Sequence, residues 1–332
     1  MTAAPESSEF VVSAESAGER LDRFLASQLP DLSRSRIQSL MQEGRVRVND
    51  AALKASYRVE EGDAVSIEIP APPAAQVAPE SIPLEILYED EDLAVVNKPA
   101  GMVVHPGAGA DSGTMVGALL HRFGGGLSAV GGPLRPGIVH RLDKGTSGAI
   151  VIAKNDAAHR KLVDDFRARR VQKTYVALLH GRLKEAAGTV ALPISRDLRR
   201  RARMTARRRE GREARTDWRA RLRLDGFTLI EADLHTGRTH QIRVHFSTLG
   251  CPVVGDTLYG APHRERAGGE LLPPLDRNFL HSARLAFDHP RTGKRVDVRA
   301  PLPGELAGYL KALGRAGHAD SASIDAALRP YL

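Results

Sequence analysis

The chain has 332 residues, 42% of them hydrophobic, enough for one large core or two. No apolar run approaches the roughly 20 residues that span a membrane, and the opening MTAAPESSEF lacks the basic-then-apolar pattern of a secretory signal. A single cysteine, Cys251, excludes an internal disulfide and a cysteine-based zinc site, so a cytoplasmic protein is the default expectation.

The net charge of +8 is unevenly spread. Residues 195–215, SRDLRRRARMTARRREGREAR, hold ten arginines against three acids, a local +7. Two readings stay open: a solvated surface loop, or an arm that grips phosphates with guanidinium forks. Few large apolar residues accompany the arginines, which disfavours insertion into a membrane surface.

In chain order, residues 1–16 read as a flexible tail. Residues 17–76 form a small α/β unit. Leu21, Phe24 and Leu25 set one helical face, and Pro30 ends it. Ser33 can cap a second helix carrying Ile37, Leu40 and Met41, and Gly44 stops it. RVRVND and DAVSIEI alternate as strands. Arg34, Arg36 and Arg45 gather around the second helix and its exit. The order of elements and the spacing of GERLDRFL, SRSRIQSL and GRVRVND resemble the S4 RNA-binding domain.

The proline- and alanine-rich stretch 71–83 breaks the pattern and marks a linker, assigned to 77–84. From 85 to 312 many short β-like runs alternate with glycines and a helical stretch at 156–169, which predicts an α+β domain on a mixed or antiparallel sheet. Residues 313–332 are assigned as a C-terminal tail, and RAGHADSASIDAALRPYL within them reads as a short helix or tail.

In GIVHRLDKGTSGAIVIAKN, residues 137–155, Asp143 follows one apolar run and precedes another. It is either a turn former, tied by Thr146 or Ser147, or a reagent held still by a sheet. In TLIEADLHTGRTHQIRVHF, residues 228–246, an alternating strand would place Thr239, Gln241, Arg243 and His245 on one face. The five-residue spacing of His235, His240 and His245 then sends neighbours to opposite faces and disfavours a metal site. Arg243 near Asp143 would form a charge pair that fixes the acid's direction. Tyr175, entering a strand in VQKTYVALLHGR, is either core or a surface on which a base stacks.

Five ordered motifs now stand together: LYEDEDLAVVNKPAGMVVHPG, GIVHRLDKGTSGAIVIAKN, KTYVALLHG, TGRTHQIRVHFSTLGCPVVGDTLYG and FLHSARLAFDHP. They cover roughly residues 84–295, and the chain resembles the RluA family of RNA pseudouridine synthases, most closely its RluD-like branch. The resemblance implies a pseudouridine synthase sheet behind an S4-like domain. It implies that Asp143 is the catalytic acid, Tyr175 packs on the target base and Arg243 pairs with the acid. Around them, His140, Arg141, Thr146, Gln241 and Ile242 are the expected substrate-binding set. Arg34, Arg36, Arg45, Arg199, Arg200, Arg201 and Arg207 are the expected RNA-binding set. Gly145 departs from a position that is commonly Asp, which is expected to loosen the turn without touching the reagent.

The implied reaction converts uridine to pseudouridine in RNA, with large-subunit (23S) ribosomal RNA, free or in a pre-ribosomal particle, as the expected substrate. It is an isomerisation, so no cofactor and no metal is expected, and the chain has neither a GxxxxGK[ST] loop nor a GxGxxG opening. A monomer is expected. The alternatives are a non-catalytic RNA-binding or assembly factor, and a glycoside or nucleoside hydrolase. The latter would want a second carboxylate, and none is clearly paired with Asp143 in the motifs.

Overall fold

The computed structural model describes residues 6–30, 32–69, 77–107, 110–200, 202–207 and 210–331. The chain divides into two units, Met1–Ala75 and Gln76–Leu332.

The first unit carries β1 (Glu6–Val11), α1 (Leu21–Gln28), α2 (Arg34–Gln42), β2 (Val46–Val48) and β3 (Ala64–Ile69), with an antiparallel sheet in the order β1-β3-β2. Ser33 caps α2 by accepting the Arg36 N–H at 3.2 Å, a contact worth about 1 kcal/mol. Gly44 follows at φ +73°, a conformation that costs glycine little. Leu21, Phe24, Leu25, Ile37 and Leu40 are buried against Val46, Val65 and Ile67. The expectation of a tail over 1–16 is corrected, because residues 6–11 pair with β3 along their whole length. This edge strand has Val11 exposed and Phe10 only half buried, so no apolar alternation announces it.

The second unit contains β4 (Glu85–Glu89), β5 (Leu93–Lys98), α3 (Met115–Phe123), β6 (Ser147–Ala153), α4 (Asp156–Arg167), β7 (Gln172–His180), β8 (Ala187–Val190), β9 (Ser195–Arg196) and β10 (Met204–Thr205). It continues with β11 (Thr216–Leu224), β12 (Phe227–Leu234), α5 (Gln241–Thr248), β13 (Arg266–Ala267), β14 (Glu270–Leu271), β15 (Leu280–Asp288), β16 (Arg295–Arg299), α6 (Gly304–Ala316) and α7 (Ser321–Leu328). Nine strands form one sheet in the order β4-β5-β6-β15-β7-β12-β11-β8, with β16 beside β15. The β15–β6 pairing is parallel and its other pairings are antiparallel, so the α+β class with a mixed sheet holds.

Burial explains the strand sequences. Every residue of β6 is buried, with Ile150 and Ile152 facing one core and Ala149, Val151 and Ala153 the other. The first core also holds Leu119 from α3 and Leu306, Leu310 and Leu313 from α6; the second holds Ala158 and Leu162 from α4. A strand with both faces covered reads as a continuous apolar run.

Two boundary readings change. Residues 77–84 are docked rather than free: Glu80 accepts the Gly113 N–H at 2.8 Å, its own N–H reaches the Gly117 carbonyl at 2.9 Å, and Val77 is buried. Residues 70–76 lie outside the described set. At the other end, 313–332 is no tail. Leu313, Ile324, Leu328 and Tyr331 are buried in the main core, and the Tyr331 hydroxyl donates to Glu231 at 2.6 Å. Gly314 lets α7 close on α6, since a Cβ there would sit 1.9 Å from Ile324 Cδ1.

Candidate active site

The loop 138–146 carries Asp143 just ahead of β6, an interior strand of the sheet. It closes as a turn, the Thr146 N–H reaching the Asp143 carbonyl at 3.1 Å. A second tie comes from the Gly101 N–H, which donates to the Lys144 carbonyl at 2.8 Å. Just beyond, Gly148 has φ +111° and lies so close to β15 that a Cβ would fall 2.3 Å from the Ser282 carbonyl. Only glycine meets both demands, and the loop's exit is thereby fixed against the neighbouring strand.

Opposite the loop stands α5, where the alternating pattern predicted a strand. Residues 241–248 are helical, so the assignment of Thr239, Gln241, Arg243 and His245 to one strand face is corrected. Every residue from Gln241 to Phe246 is buried, so polar and apolar side chains are enclosed alike and no 3.6-residue stripe shows. The three histidines go to separate partners. His235 meets Asp217 at 2.6 Å, His240 meets the Tyr259 hydroxyl at 2.7 Å, and His245 meets Thr216 at 2.9 Å.

The helix brings Arg243 to Asp143 with an Nη1–Oδ2 distance of 3.0 Å. The same guanidinium makes two bonds to Asp256, Nε–Oδ2 at 2.6 Å and Nη2–Oδ1 at 2.9 Å. Burial works against the Arg243 charge, but the two carboxylates more than offset it and hold its pKa above the usual value. Tyr259 lies against the guanidinium, its ring centroid 5.0 Å away. Asp256 is almost wholly buried and both its oxygens are taken, so the second carboxylate a hydrolase would want does not reach the recess at Asp143.

Asp143, Arg141, Thr146, Tyr175, Ile242, Gln241 and Arg243 line a recess of about 80 Å³. A duplex cannot enter it, so a base would have to leave its stack to reach the acid. Burial, with Asp143 adding to it, pushes the Tyr175 phenol up, so it stays protonated with its ring at the recess wall. Arg141 is exposed beside Asp143, and the Thr146 hydroxyl is buried without a partner. His240 is held neutral by burial, its Nε2 3.9 Å from Asp143.

Two members of the expected substrate set serve the scaffold. His140 accepts the Val151 N–H at 3.0 Å and stacks on Phe166 at 4.5 Å; burial pushes its imidazole down to about 3. His140 is absent from the recess lining. The Gln241 amide is fully committed: its oxygen accepts from Thr236 and the Arg238 N–H, and its nitrogen donates to Arg215 and Thr216. It orders the 236–241 turn rather than offering groups to a ligand.

The basic residues divide similarly. Arg34 bonds buried Asp22 at 2.8 Å, Arg36 meets Glu43 at 3.3 Å and Arg45 meets Glu68 at 2.8 Å, each staying partly exposed. Within the arginine-rich stretch, β9 pairs with β10 as an antiparallel hairpin. Arg203 covers the Tyr259 ring at 5.1 Å, and the Met204 N–H donates to the Tyr259 hydroxyl at 2.8 Å. Arg199 and Arg200 stand exposed, their N–H groups bound to Asp197, and Arg207 is exposed as well. Arg201 lies outside the described residues.

Asp256 and Tyr259 are the residues that sequence reasoning missed. Both sit in GDTLYG, where an aspartate after glycine reads as a turn and nothing local distinguishes a buried clamp. Among the described residues, Asp90, Asp92 and His289 have the spacing to hold a metal. They are already engaged, His289 with Asp90 at 2.8 Å and Asp92 with Arg291 at 2.6 Å.

Comparison with known proteins fits this geometry. Residues 92–248 match the RNA pseudouridylate synthase family and residues 19–65 match the S4 domain. The uncharacterized RNA pseudouridine synthase YlyB of Bacillus subtilis is 43% identical over 93% of this chain and 99% of its own length. This chain belongs to the RNA pseudouridine synthase family. The ribosomal large subunit pseudouridine synthase D of Zymomonas mobilis is 42% identical over 92% of this chain and 97% of its own length. Among solved structures, human RNA pseudouridylate synthase domain containing 1 matches with a TM-score of 0.51 at 31% identity, over 67% of this chain and 84% of that one. The enzyme therefore isomerises uridine to pseudouridine in RNA. No described helix is long and apolar enough to cross a membrane.

Proposed function

We propose that this enzyme modifies large-subunit ribosomal RNA in the cytoplasm, as a monomer without metal or cofactor, and that Asp143 carries the reaction. The observation behind the chemistry is the 3.0 Å contact between Arg243 and Asp143 at a recess also lined by Tyr175. Isomerisation breaks the C1′–N1 bond, turns the uracil and joins C1′ to C5; the C5 proton passes to solvent while the freed N1 takes one up. Nothing is oxidised and no group is donated. The carboxylate acts on the ribose of a flipped uridine, by attack at C1′ or by taking the proton whose loss expels the base. Arg243 aims it, and the Tyr175 ring supports the detached uracil.

Support for ribosomal RNA comes from relatives in Zymomonas mobilis and Xanthomonas campestris, both named ribosomal large subunit pseudouridine synthase D, at 42% and 40% identity. The S4-like unit and the exposed arginines of the β9–β10 hairpin suit phosphate-rich RNA. The test is pseudouridine mapping of total RNA from cells with and without the gene. Loss of one or more large-subunit sites is expected. Loss confined to transfer RNA or the small subunit would overturn the assignment.

A further inference from the structure

The second unit holds a cleft of about 930 Å³ that shares no lining residue with the recess at Asp143. Its wall includes Lys98, Gly101, Ser147, Arg277 and the first turn of α6. The Arg277 side chain is only 8% exposed. One of its nitrogens donates to the Ser147 hydroxyl at 2.9 Å, while Nε and Nη1 are buried without a hydrogen-bond partner. A buried guanidinium with donors left without a hydrogen bond is costly and calls for an acceptor.

Three further features favour a negative one. Lys98 is fully buried and its hydrogen bonds go to the carbonyls of Pro99, Met102 and Lys144, with no carboxylate bonded to it. The helix α6 presents its N-terminus to the cleft through Pro303, Gly304 and Glu305, with no side-chain cap. The carboxylate nearest Arg277 is that of Glu305, 3.4 Å from Nε, on a side chain 55% exposed. Glu85 and Asp276 also lie in the lining, and Glu85 is bound to Asn97. The lining thus carries acids, but its buried charges are cationic.

We propose that this cleft binds a phosphate group, held by Arg277 and the α6 N-terminus, with Glu305 occupying the place when it is empty. The arrangement of guanidinium fork and helix N-terminus suits a tetrahedral oxyanion. The site has a route to the chemistry: Ser147 lies four residues from Asp143, and Lys98 bonds the Lys144 carbonyl of the catalytic loop. Burial pushes the Lys98 ammonium down to about 7, with Arg277 adding to the effect, and a bound anion would reverse that shift.

Binding of radiolabelled inorganic phosphate to the whole protein, at constant ionic strength, tests the site. Glu305→Gln removes the resident carboxylate from an exposed position, so it keeps the fold and is expected to bind phosphate at least threefold more tightly. Arg277→Gln is expected to lose the saturable site. Unchanged binding in Glu305→Gln, whatever the fate of Arg277→Gln, overturns the proposal. Adding an unlabelled RNA stem-loop without terminal phosphates separates two sources. If the ligand is an RNA backbone phosphate, the stem-loop displaces the Arg277-dependent label. If it is a free phosphate compound, the label stays bound beside the RNA.

Discussion

Arg243 gives one guanidinium nitrogen to Asp143 at 3.0 Å while Asp256 holds two others from behind. The pairing is therefore a clamped relay of two acids on one cation. Asp256 fixes the guanidinium, and the guanidinium fixes Asp143. This places Asp256 as a positioning residue that touches no substrate.

Asp256→Asn is expected to lower kcat about a hundredfold, the scale of a small misplacement of a reacting group. RNA affinity should change by less than a few-fold, because Asp256 is absent from the recess lining. Single-turnover rates beside equilibrium RNA binding check this. A rate within twofold of the parent would mean that Arg243 is aimed by something else.

Tyr175 is predicted to act through its ring. Tyr175→Phe keeps the stack, whereas Tyr175→Leu removes a contact worth about 1–3 kcal/mol. The expectation is a loss in kcat/KM of roughly tenfold to a hundredfold for Leu beyond that for Phe, measured on a short RNA stem-loop. Equal losses would shift the role to the hydroxyl.

Replacing Arg199, Arg200 and Arg207 by Ala should weaken RNA binding and flatten its salt dependence. Three lost phosphate contacts correspond to a fall of roughly 2 in the slope of log affinity against log salt. The folded hairpin should persist, because its base is held by Met204, Arg203 and Tyr259. An unchanged slope returns the hairpin to a solvated surface.

The sequence made the small unit's helices and the buried strands legible because caps and apolar runs are local signals, as at Ser33 and β6. Asp143 and Arg243 were legible as a pair even though Arg243 was expected on a strand and lies on a helix. That helix was hidden because burial on all sides erases amphipathic periodicity. The strand β1 was hidden for the opposite reason: it offers few apolar residues, and its order comes from a partner strand distant in sequence, Ile67 among its residues. Asp256 was invisible because its role is defined only by where Arg243 arrives.

The fully buried His281 predicts an acid weakness. Its Nδ1 faces the Ser147 hydroxyl and its Nε2 the Ala300 carbonyl, and burial pushes its pKa down to about 4. Between about 6.5 and 4 the unfolded chain takes up a proton that the native state refuses. Stability from this group is thus complete above about 6.5 and falls as pH drops through that window. In His281→Gln the unfolding free energy should fall less steeply there, by up to about 1.4 kcal/mol per pH unit. Parallel urea-midpoint profiles would show that His281 does not set the slope.

The central claim is that Asp143 is the reagent, and Asp143→Asn tests it most directly. Tritium release from RNA carrying 5-tritiated uridine, at saturating enzyme, reports the loss of the C5 proton. The variant is expected to fold, to bind the stem-loop within a few-fold of the parent, and to release no tritium above the enzyme-free rate. Release at a measurable fraction of the parent rate, from protein that is pure and folded, would contradict the assignment.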